Sequence, residues 1–492
     1  MSSSYHSLIL KNDGTLWCCG QNAYGQLGLG NSANKTTFTQ ITTNADDVKE
    51  IYCGGGHTFI LENDGTLWGC GWNNWGQLGL GDTTDRNTFT QITTNTDNIK
   101  EIYCGYAYTF ILKNDGTLWG CGYNSFGNLG LGDSTDRNTF TQITDDDIDN
   151  IKSVYCGGDH TLILKNDGTL WGCGRNDFGQ LGLGDTTNRY NFTEITANAN
   201  DIKSVYCGGY HTLILKNDGT LWSTGYNSHG QLGLGDGTNR TTFTKITTNT
   251  DDIKQVYCGG YHTLILKNNG TLWGCGANDN GQLGLGDTTN RTTFTQVTTN
   301  ADDIKQVYCG WYYTLILKND GTLWSAGNND YGQLGLGDTS YRYTFTEITT
   351  NGDNVKSLLN QYDIPSIIKV YDLNTGLVET LDTNNFKNIP VDKFEKIKVL
   401  YTNPAGTYIN CLMSFDQKQT WKTFNGTNWN IISDTTPNNI LLNGMDISKV
   451  NELDKNKLMA GGFTGDIDFR IAMKTNDNTI TPSITKIYIL YC

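Results

Sequence analysis

The sequence Lys-Asn-Asp-Gly-Thr-Leu-Trp, or a one-residue variant of it, recurs seven times and places tryptophans at Trp17, Trp68, Trp119, Trp171, Trp222, Trp273 and Trp324. Successive spacings are 51, 51, 52, 51, 51 and 51 residues. A period of this length restricts the chain to a solenoid or a propeller, and the strand content of the unit decides between them. In the fourth unit Ile151-Lys-Ser-Val-Tyr-Cys alternates and is β-branched, and Thr161-Leu-Ile-Leu-Lys is an apolar run. Thr169-Leu-Trp-Gly-Cys and Asn191-Phe-Thr-Glu-Ile-Thr supply two more strands. No helical period is present. Asn166-Asp167-Gly168 signals a tight hairpin, because Asp-Gly tolerates the positive φ such turns need. Four antiparallel strands repeated seven times predict an all-β seven-bladed β-propeller.

Within each unit, a segment such as Gly179-Gln-Leu-Gly-Leu-Gly-Asp185 lets blades approach closely at its glycines, and its leucines are expected to plug the space between blades. The first unit, starting at Tyr5-His6-Ser7-Leu8, lacks the Ile-Lys-x-Val-Tyr-Cys strand that precedes this point in the other six. An orphan copy, Val355-Lys356-Ser357-Leu358-Leu359, follows the last unit. This segment is expected to complete the first blade, closing the ring over residues 1–359 and removing an open sheet edge.

The pattern His-Thr-Leu-Ile-Leu, Asp-Gly-Thr-Leu-Trp and Gly-x-Asn-x-x-Gly-Gln-Leu-Gly-Leu-Gly-Asp with a following Arg resembles the repeat of the regulator of chromosome condensation family. That resemblance covers residues 5 to about 359 and implies a seven-bladed propeller. It is specific for fold and not for function. Founding members of the family exchange guanine nucleotide on a small nuclear GTPase and dock on chromatin through a basic tail and an inserted β-wedge. Neither feature is present here. A plant photoreceptor branch uses extra tryptophans beside a Gly-Trp-Arg-His-Thr motif, which is also absent.

Fourteen cysteines raise disulfide and metal readings, but twelve follow the repeat. Cys53, Cys104, Cys156, Cys207, Cys258 and Cys309 each follow a tyrosine. Cys19, Cys70, Cys121, Cys173 and Cys275 follow the strand tryptophan, with Cys18 beside Cys19; Thr224 and Ala326 fill the equivalent places elsewhere. A position that accepts Cys, Thr or Ala needs a small buried side chain, so these read as core thiols of a protein folded in a reducing compartment. Cys-x-x-x-His pairs at Cys53/His57, Cys156/His160, Cys207/His211 and Cys258/His262 offer two ligands per blade where zinc wants four. The equivalent histidine is Tyr108 or Tyr313 in two units, so no metal is expected. A ring nitrogen or phenol meeting a blade carbonyl is the expected role. The pairs Asp82/Arg86, Asp133/Arg137, Asp185/Arg189, Asp236/Arg240, Asp287/Arg291 and Asp338/Arg342 occur in six units. They read as a structural loop lock, since a catalytic site needs one constellation. No nucleophile elbow, phosphate loop or unrepeated carboxylate pair is found, so neither an enzyme nor a cofactor is expected.

The net charge is −15, and residues before 360 carry 36 acidic against 22 basic side chains, −14 of it. Such a surface repels nucleic acid and anionic membranes. No run of eighteen apolar residues exists, and Met-Ser-Ser-Ser-Tyr-His lacks the basic and apolar regions of a signal peptide. Against the uniform scaffold, three sets of positions vary: before the loop Asn, before the loop Gly, and before the strand His or Tyr. The candidate ligand-binding residues drawn from these positions are Trp72, Trp75, Tyr123, Phe126, Phe178, Tyr210, Tyr226, Tyr261, Tyr312 and Tyr331, with Trp311 adjacent to the third set. On exposed loops such rings suit sugars or a protein surface; the competing reading is that they pack on neighbouring blades.

All five prolines and four of the five methionines lie beyond residue 360, marking a second module at 360–492. Ile367–Tyr371, Ile397–Tyr401, Tyr408–Met413, Trp421–Phe424, Asn428–Ile432, Phe469–Met473 and Ile484–Leu490 are strand-like, which predicts a β-sandwich or jelly roll, with Asn425-Gly426 as a hairpin turn. Ser414-Phe-Asp-Gln-Lys-Gln-Thr-Trp421, Asp468-Phe-Arg-Ile-Ala-Met-Lys and Thr481-Pro-Ser-Ile-Thr-Lys-Ile-Tyr resemble modules at the ends of tail proteins in phages and phage-derived particles of Firmicutes. That resemblance implies a virion or extracellular particle component, folded in the cytosol. Its partners would be a bacterial cell-surface glycan or protein and other particle proteins, with homo-oligomerisation left open. The alternative is a cytoplasmic protein-interaction scaffold or small-GTPase regulator. An envelope glycosidase is least favoured, because its carboxylates would be periodic.

Overall fold

A computed structural model describes residues 5–42, 48–145 and 148–358, and beyond them the strands 371–372, 394–402, 407–414, 421–424, 429–432, 445–446, 468–475 and 483–491. The chain forms two compact units, Met1–Tyr362 and Asp363–Cys492. Among the described residues no helix is long and apolar enough to cross a membrane.

The first unit is a seven-bladed propeller of four-stranded antiparallel sheets. The fourth blade runs Ile151–Cys156, His160–Lys165, Leu170–Gly174 and Arg189–Glu194. First strands of successive blades neighbour one another around the axis. At the turn between second and third strands Gly168 takes φ +88°, and its N–H donates to the Lys165 carbonyl at 3.0 Å. Asp167 Oδ1 accepts the Thr169 N–H at 2.9 Å, so the Asp-Gly pair supplies both the backbone angle and the cap.

The fourth strand begins two residues earlier than its apolar pattern predicts. Arg189 opposes Gly174 across a register shift, and its guanidinium Nη2 pairs with Asp185 Oδ2 at 2.6 Å. Asp185 Oδ1 also accepts the Thr187 N–H at 2.9 Å, while Asn176 Nδ2 donates to the Asp185 carbonyl at 2.9 Å. The Arg189 hydrogen bond holds the Asp185 carboxyl below the usual carboxylate range. The same lock recurs in the other five blades that carry the pair, and Asn31 takes the turn-capping part in the first. The aspartate side chain is 44% exposed, so the ion pair itself is solvent-screened. Asp185→Ala should lower the unfolding free energy by only about 1 kcal/mol in denaturant melts.

The core lies between blades. Leu181 is fully buried in a cluster with Leu162, Leu170, Ile195, Val205, Ile214 and Phe243, which joins the fourth and fifth blades. The loop leucine therefore plugs the interblade space as its position predicts. The twelve described cysteines are buried, and none forms a disulfide among the described residues.

Val355–Leu358 pairs antiparallel with His6–Lys11 and becomes the first strand of the first blade. Val355 and Leu358 are each 2% exposed, packed with Ile9, Phe38, Leu315, Leu334 and Ile348. The ring is thus closed by its own C-terminal strand; Leu359 lies outside the described residues.

A second seam runs around the ring. In five blades a buried histidine Nε2 meets the hydroxyl of the next blade's threonine: His6 to Thr58 at 2.9 Å, His57 to Thr109, His160 to Thr212 and His211 to Thr263 at 3.0 Å, and His262 to Thr314 at 3.1 Å. Each threonine also spends its single proton on a loop carbonyl, as Thr58 does on Gln26 at 2.8 Å. The histidine must therefore donate, which fixes the Nε2–H tautomer. The expected carbonyl partner is replaced by a hydroxyl for the histidines, but holds for the two tyrosines. Tyr108 donates to the His160 carbonyl and Tyr313 to the His6 carbonyl, each at 2.7 Å.

In the second unit Tyr371–Asp372, Ser483–Tyr491 and Phe394–Thr402 form one antiparallel sheet. Thr407–Ser414 is central to another, with Asp468–Thr475, Met445–Asp446 and the pair Trp421–Phe424 and Trp429–Ile432. The strand positions read from the sequence overlap these. Ile367–Val370, the Asn425-Gly426 turn and the packing that would make the two sheets a sandwich lie outside the described residues.

Candidate functional site

In the six blades after the first the turn between first and second strands has the form Cys-Gly-x-x-His/Tyr, and these turns meet at one end of the axis. The Gly next to Cys lies under the ring four residues after that Cys; a Cβ on Gly157 would stand 2.1 Å from His160 Cε1. The following residue links blade to blade through the backbone. Gly55 N donates to the Tyr106 carbonyl at 2.9 Å, Tyr106 N to Gly158 at 3.3 Å, Gly158 N to Gly209 at 3.1 Å, Gly209 N to Gly260 at 3.2 Å, and Gly260 N to Trp311 at 3.2 Å. Side chains have almost no room in this ladder: a Cβ on Gly158 would sit 2.5 Å from the Gly209 carbonyl oxygen.

Two blades break the glycine register, with Tyr106 and Trp311. The Trp311 indole lies over Gly260 and reaches Gly209, and is only 8% exposed. Its ring centroid stands 5.6 Å from Tyr106, 6.0 Å from Tyr210, 5.6 Å from Tyr261 and 6.2 Å from Tyr312. Tyr106 in turn meets Trp72 at 5.7 Å, and Trp72 stacks on Tyr24 at 5.5 Å. Tyr5 joins Tyr312 to Tyr331, Trp75 packs edge-on against Tyr123, and Phe178 contacts Tyr210 and Tyr226. Rings from all seven blades form one connected surface.

A depression of about 320 Å³ opens on this surface, lined by Tyr5, Trp72, Trp75, Tyr106, Ala107, Tyr123, Phe126, Gly158, Asp159, Tyr210 and Trp311. Six of the eleven sequence candidates therefore share its wall: Trp72, Trp75, Tyr123, Phe126, Tyr210 and Trp311. Phe178, Tyr226, Tyr261, Tyr312 and Tyr331 lie on the same face, in ring contact with that wall or with one another. The expectation of exposed rings needs correction. Of the eleven, Trp75 at 38% is the exposed one; the others are half-buried against each other, and Trp311 is an axial plug.

The depression also has a polar corner found in one blade. Arg175 sits over Phe126 at 4.8 Å, Tyr210 at 5.3 Å and Phe178 at 5.5 Å. Its Nη1 is 3.4 Å from Asp159 Oδ2 and its Nε donates to Asp177 Oδ2 at 2.8 Å. Burial pushes the Asp159 carboxyl up despite Arg175, and raises the Tyr210 and Tyr106 phenols. Tyr5 is held well above the usual phenol range by burial and neighbouring phenols. The site thus offers neutral phenols, indole faces and one shared ion pair. Among the described residues no cluster of three metal-ligating side chains occurs.

Tyr5, Asp159 and Arg175 stand at the variable positions without being among the eleven candidates, and Tyr106 lies outside those positions. Tyr106 was detectable as a departure from glycine in the register Gly55, Tyr106, Gly158, Gly209, Gly260, Trp311. Asp159 and Arg175 were visible as charges at positions where other blades carry mostly aromatic or small residues.

Residues 13–61, 64–112 and 115–164 match the Regulator of chromosome condensation (RCC1) repeat, and 146–364 match the RCC1-like domain. The Ultraviolet-B receptor UVR8 of Arabidopsis thaliana is 32% identical over 340 residues, covering 68% of this chain and 77% of that protein. The X-linked retinitis pigmentosa GTPase regulator of Mus musculus is 33% identical over 320 residues, 53% of this chain but only 32% of that protein. Among solved structures, yeast RCC1 (Prp20) bound to Kap60 superposes with a TM-score of 0.62 at 20% identity, over 71% of this chain and 85% of that one. Human WBSCR16 gives 0.60 at 21%, over 68% and 94%. These two likenesses speak for the fold alone. The resemblance of the C-terminal unit to tail-particle modules is not shown by these matches. Repeat, propeller and relatives agree that the chain belongs to the regulator of chromosome condensation (RCC1) repeat family.

Proposed function

We propose that this chain is a non-enzymatic protein-interaction scaffold whose propeller takes up a segment of a partner protein on its aromatic face. One observation carries the reading: Tyr106 and Trp311 replace axial glycines and join rings of all seven blades into a single surface. A frame that repeats seven times has no need of such an exception. Trp, Tyr and Arg concentrated at the centre of a face are the residue types that dominate protein–protein binding energy. Sugar stacking is less favoured, because the rings meet largely edge to face and leave few flat surfaces open. Relatives named as a receptor and as a GTPase regulator support a binding or regulatory role. The tail-particle role with a bacterial surface ligand gains no support from them.

Selection of a displayed random-peptide library on the full chain tests this. The expected result is enriched peptides whose affinity falls at least tenfold in Trp72→Ala and Trp75→Ala while the melting temperature stays within a few degrees. Peptides indifferent to both substitutions, or glycan-array binding without any enriched peptide, would overturn the reading.

A further inference from the structure

Resting on that reading, we infer that the depression recognises a methylated ammonium group, carried on a lysine side chain of the partner segment. Three observations converge. First, the wall is built of electron-rich rings around one opening: Tyr5, Trp72, Tyr106, Tyr210 and Trp311. Ring faces attract cations through their quadrupoles, and a methylated ammonium, weakly hydrated, loses least on leaving water for such a wall. Second, the face already holds a cation in this way. The Arg175 guanidinium rests on Phe126, Phe178 and Tyr210 at 4.8 to 5.5 Å, which shows what these rings attract.

Third, the charge count is uneven. Asp159 and Asp177 both face Arg175, two carboxylates on one guanidinium. Asp159 lines the depression with its side chain 14% exposed, and its 3.4 Å contact to Arg175 is the looser of the two. An incoming cation therefore meets a carboxylate that Arg175 only partly satisfies. The surrounding propeller is acidic as well, with 36 carboxylates against 22 basic groups before residue 360, a field that draws a positive segment in and repels a phosphorylated one. An unmodified lysine fits less well, because its ammonium keeps a strong hydration shell that rings cannot replace.

The probe is N-acetyl-trimethyl-lysine amide, titrated into the full chain with tryptophan fluorescence as the readout. Its unmethylated form and its neutral tert-butyl isostere run in parallel. The trimethyl compound should bind at least tenfold tighter than either. Tyr106→Leu and Trp72→Leu should each reduce its affinity at least fivefold, and Asp159→Asn about threefold, with far-UV spectra unchanged. Equal binding of the isostere overturns the inference, because apolar burial would then suffice. Binding by choline alone, without binding of the lysine compound, overturns it as well. If the trimethyl compound fails while Trp72-dependent library peptides persist, the ammonium assignment falls and the protein-interaction reading stands. If both fail, the face itself is misassigned.

Discussion

Lowering the pH should unfold the propeller in a narrow window centred near pH 5. Burial holds the imidazoles of His6, His57, His160, His211 and His262 at about 3, well below the ordinary histidine value near 6.5. Below pH 6.5 the unfolded chain binds up to five protons at these sites that the folded chain refuses. Stability therefore rises with pH, is fully present above about pH 7.5, and is lost as pH falls through 6.5 toward 3. Each group contributes about 1.4 kcal/mol per pH unit within that window, so at pH 5 the five together remove on the order of 10 kcal/mol. That is comparable with the whole stability of an ordinary domain. Each Nε2–H is committed to a threonine, and the Nδ1 atoms of His57, His160, His211 and His262 have no hydrogen-bond partner among the described residues. The paired carboxylates, held below their usual range, add to the loss only at lower pH. Urea melts between pH 8 and pH 5 measure the slope. His160→Tyr with His211→Tyr, borrowing the residue of Tyr108 and Tyr313, should flatten it by about two fifths. Stability unchanged down to pH 4 would contradict the account.

A charge in the closing strand should open the ring. Val355→Asp or Leu358→Asp places a carboxylate among Ile9, Phe38, Leu315, Leu334 and Ile348. The cost is on the order of 4 kcal/mol, since a buried ion without a partner either stays expensive or takes up a proton. The consequence exceeds one contact. Losing Val355–Leu358 leaves His6–Lys11 as a bare sheet edge and removes the Leu358 N–H bond to Gln306 Oε1 at 3.0 Å in the seventh blade. The first and seventh blades would part, and a closed wheel would become an open array with two edges prone to association. Aspartate at exposed Tyr190, on an outer strand, should change stability by less than about 1 kcal/mol. Denaturant melts and size-exclusion elution separate the outcomes. Equal melting of the Leu358 and Tyr190 variants would show that closure is not what holds the ring.

Much of the frame was legible because its causes are local or repeat. Asp-Gly turns, small core thiols, the Asp–Arg lock and the orphan strand each follow from residue chemistry at a fixed register. What escaped reading depends on which blades face each other across the axis. Trp311 stands in sequence beside Tyr312 and Tyr313, yet its ring crosses to Gly209 and Tyr106. No periodicity within one blade shows that reach. Asp159 and Arg175 are sixteen residues apart and meet only because the turn after the first strand and the loop after the third open on one face. The histidines misled in a subtler way. Their partner is a threonine hydroxyl of the next blade, and its proton is already committed to a loop carbonyl, a constraint visible only when three segments are assembled.

Under the proposed function the seven-fold frame is inert and its two axial exceptions create the binding face. Restoring the repeat tests this most directly. Tyr106→Gly with Trp311→Gly installs the residue found at Gly55, Gly158, Gly209 and Gly260. The measurement is the affinity of a selected peptide for this double variant at pH 7.5, beside its far-UV spectrum. The expected result is an intact β spectrum and affinity reduced at least a hundredfold. A symmetrised ring that still binds its peptide as tightly as the parent would contradict it.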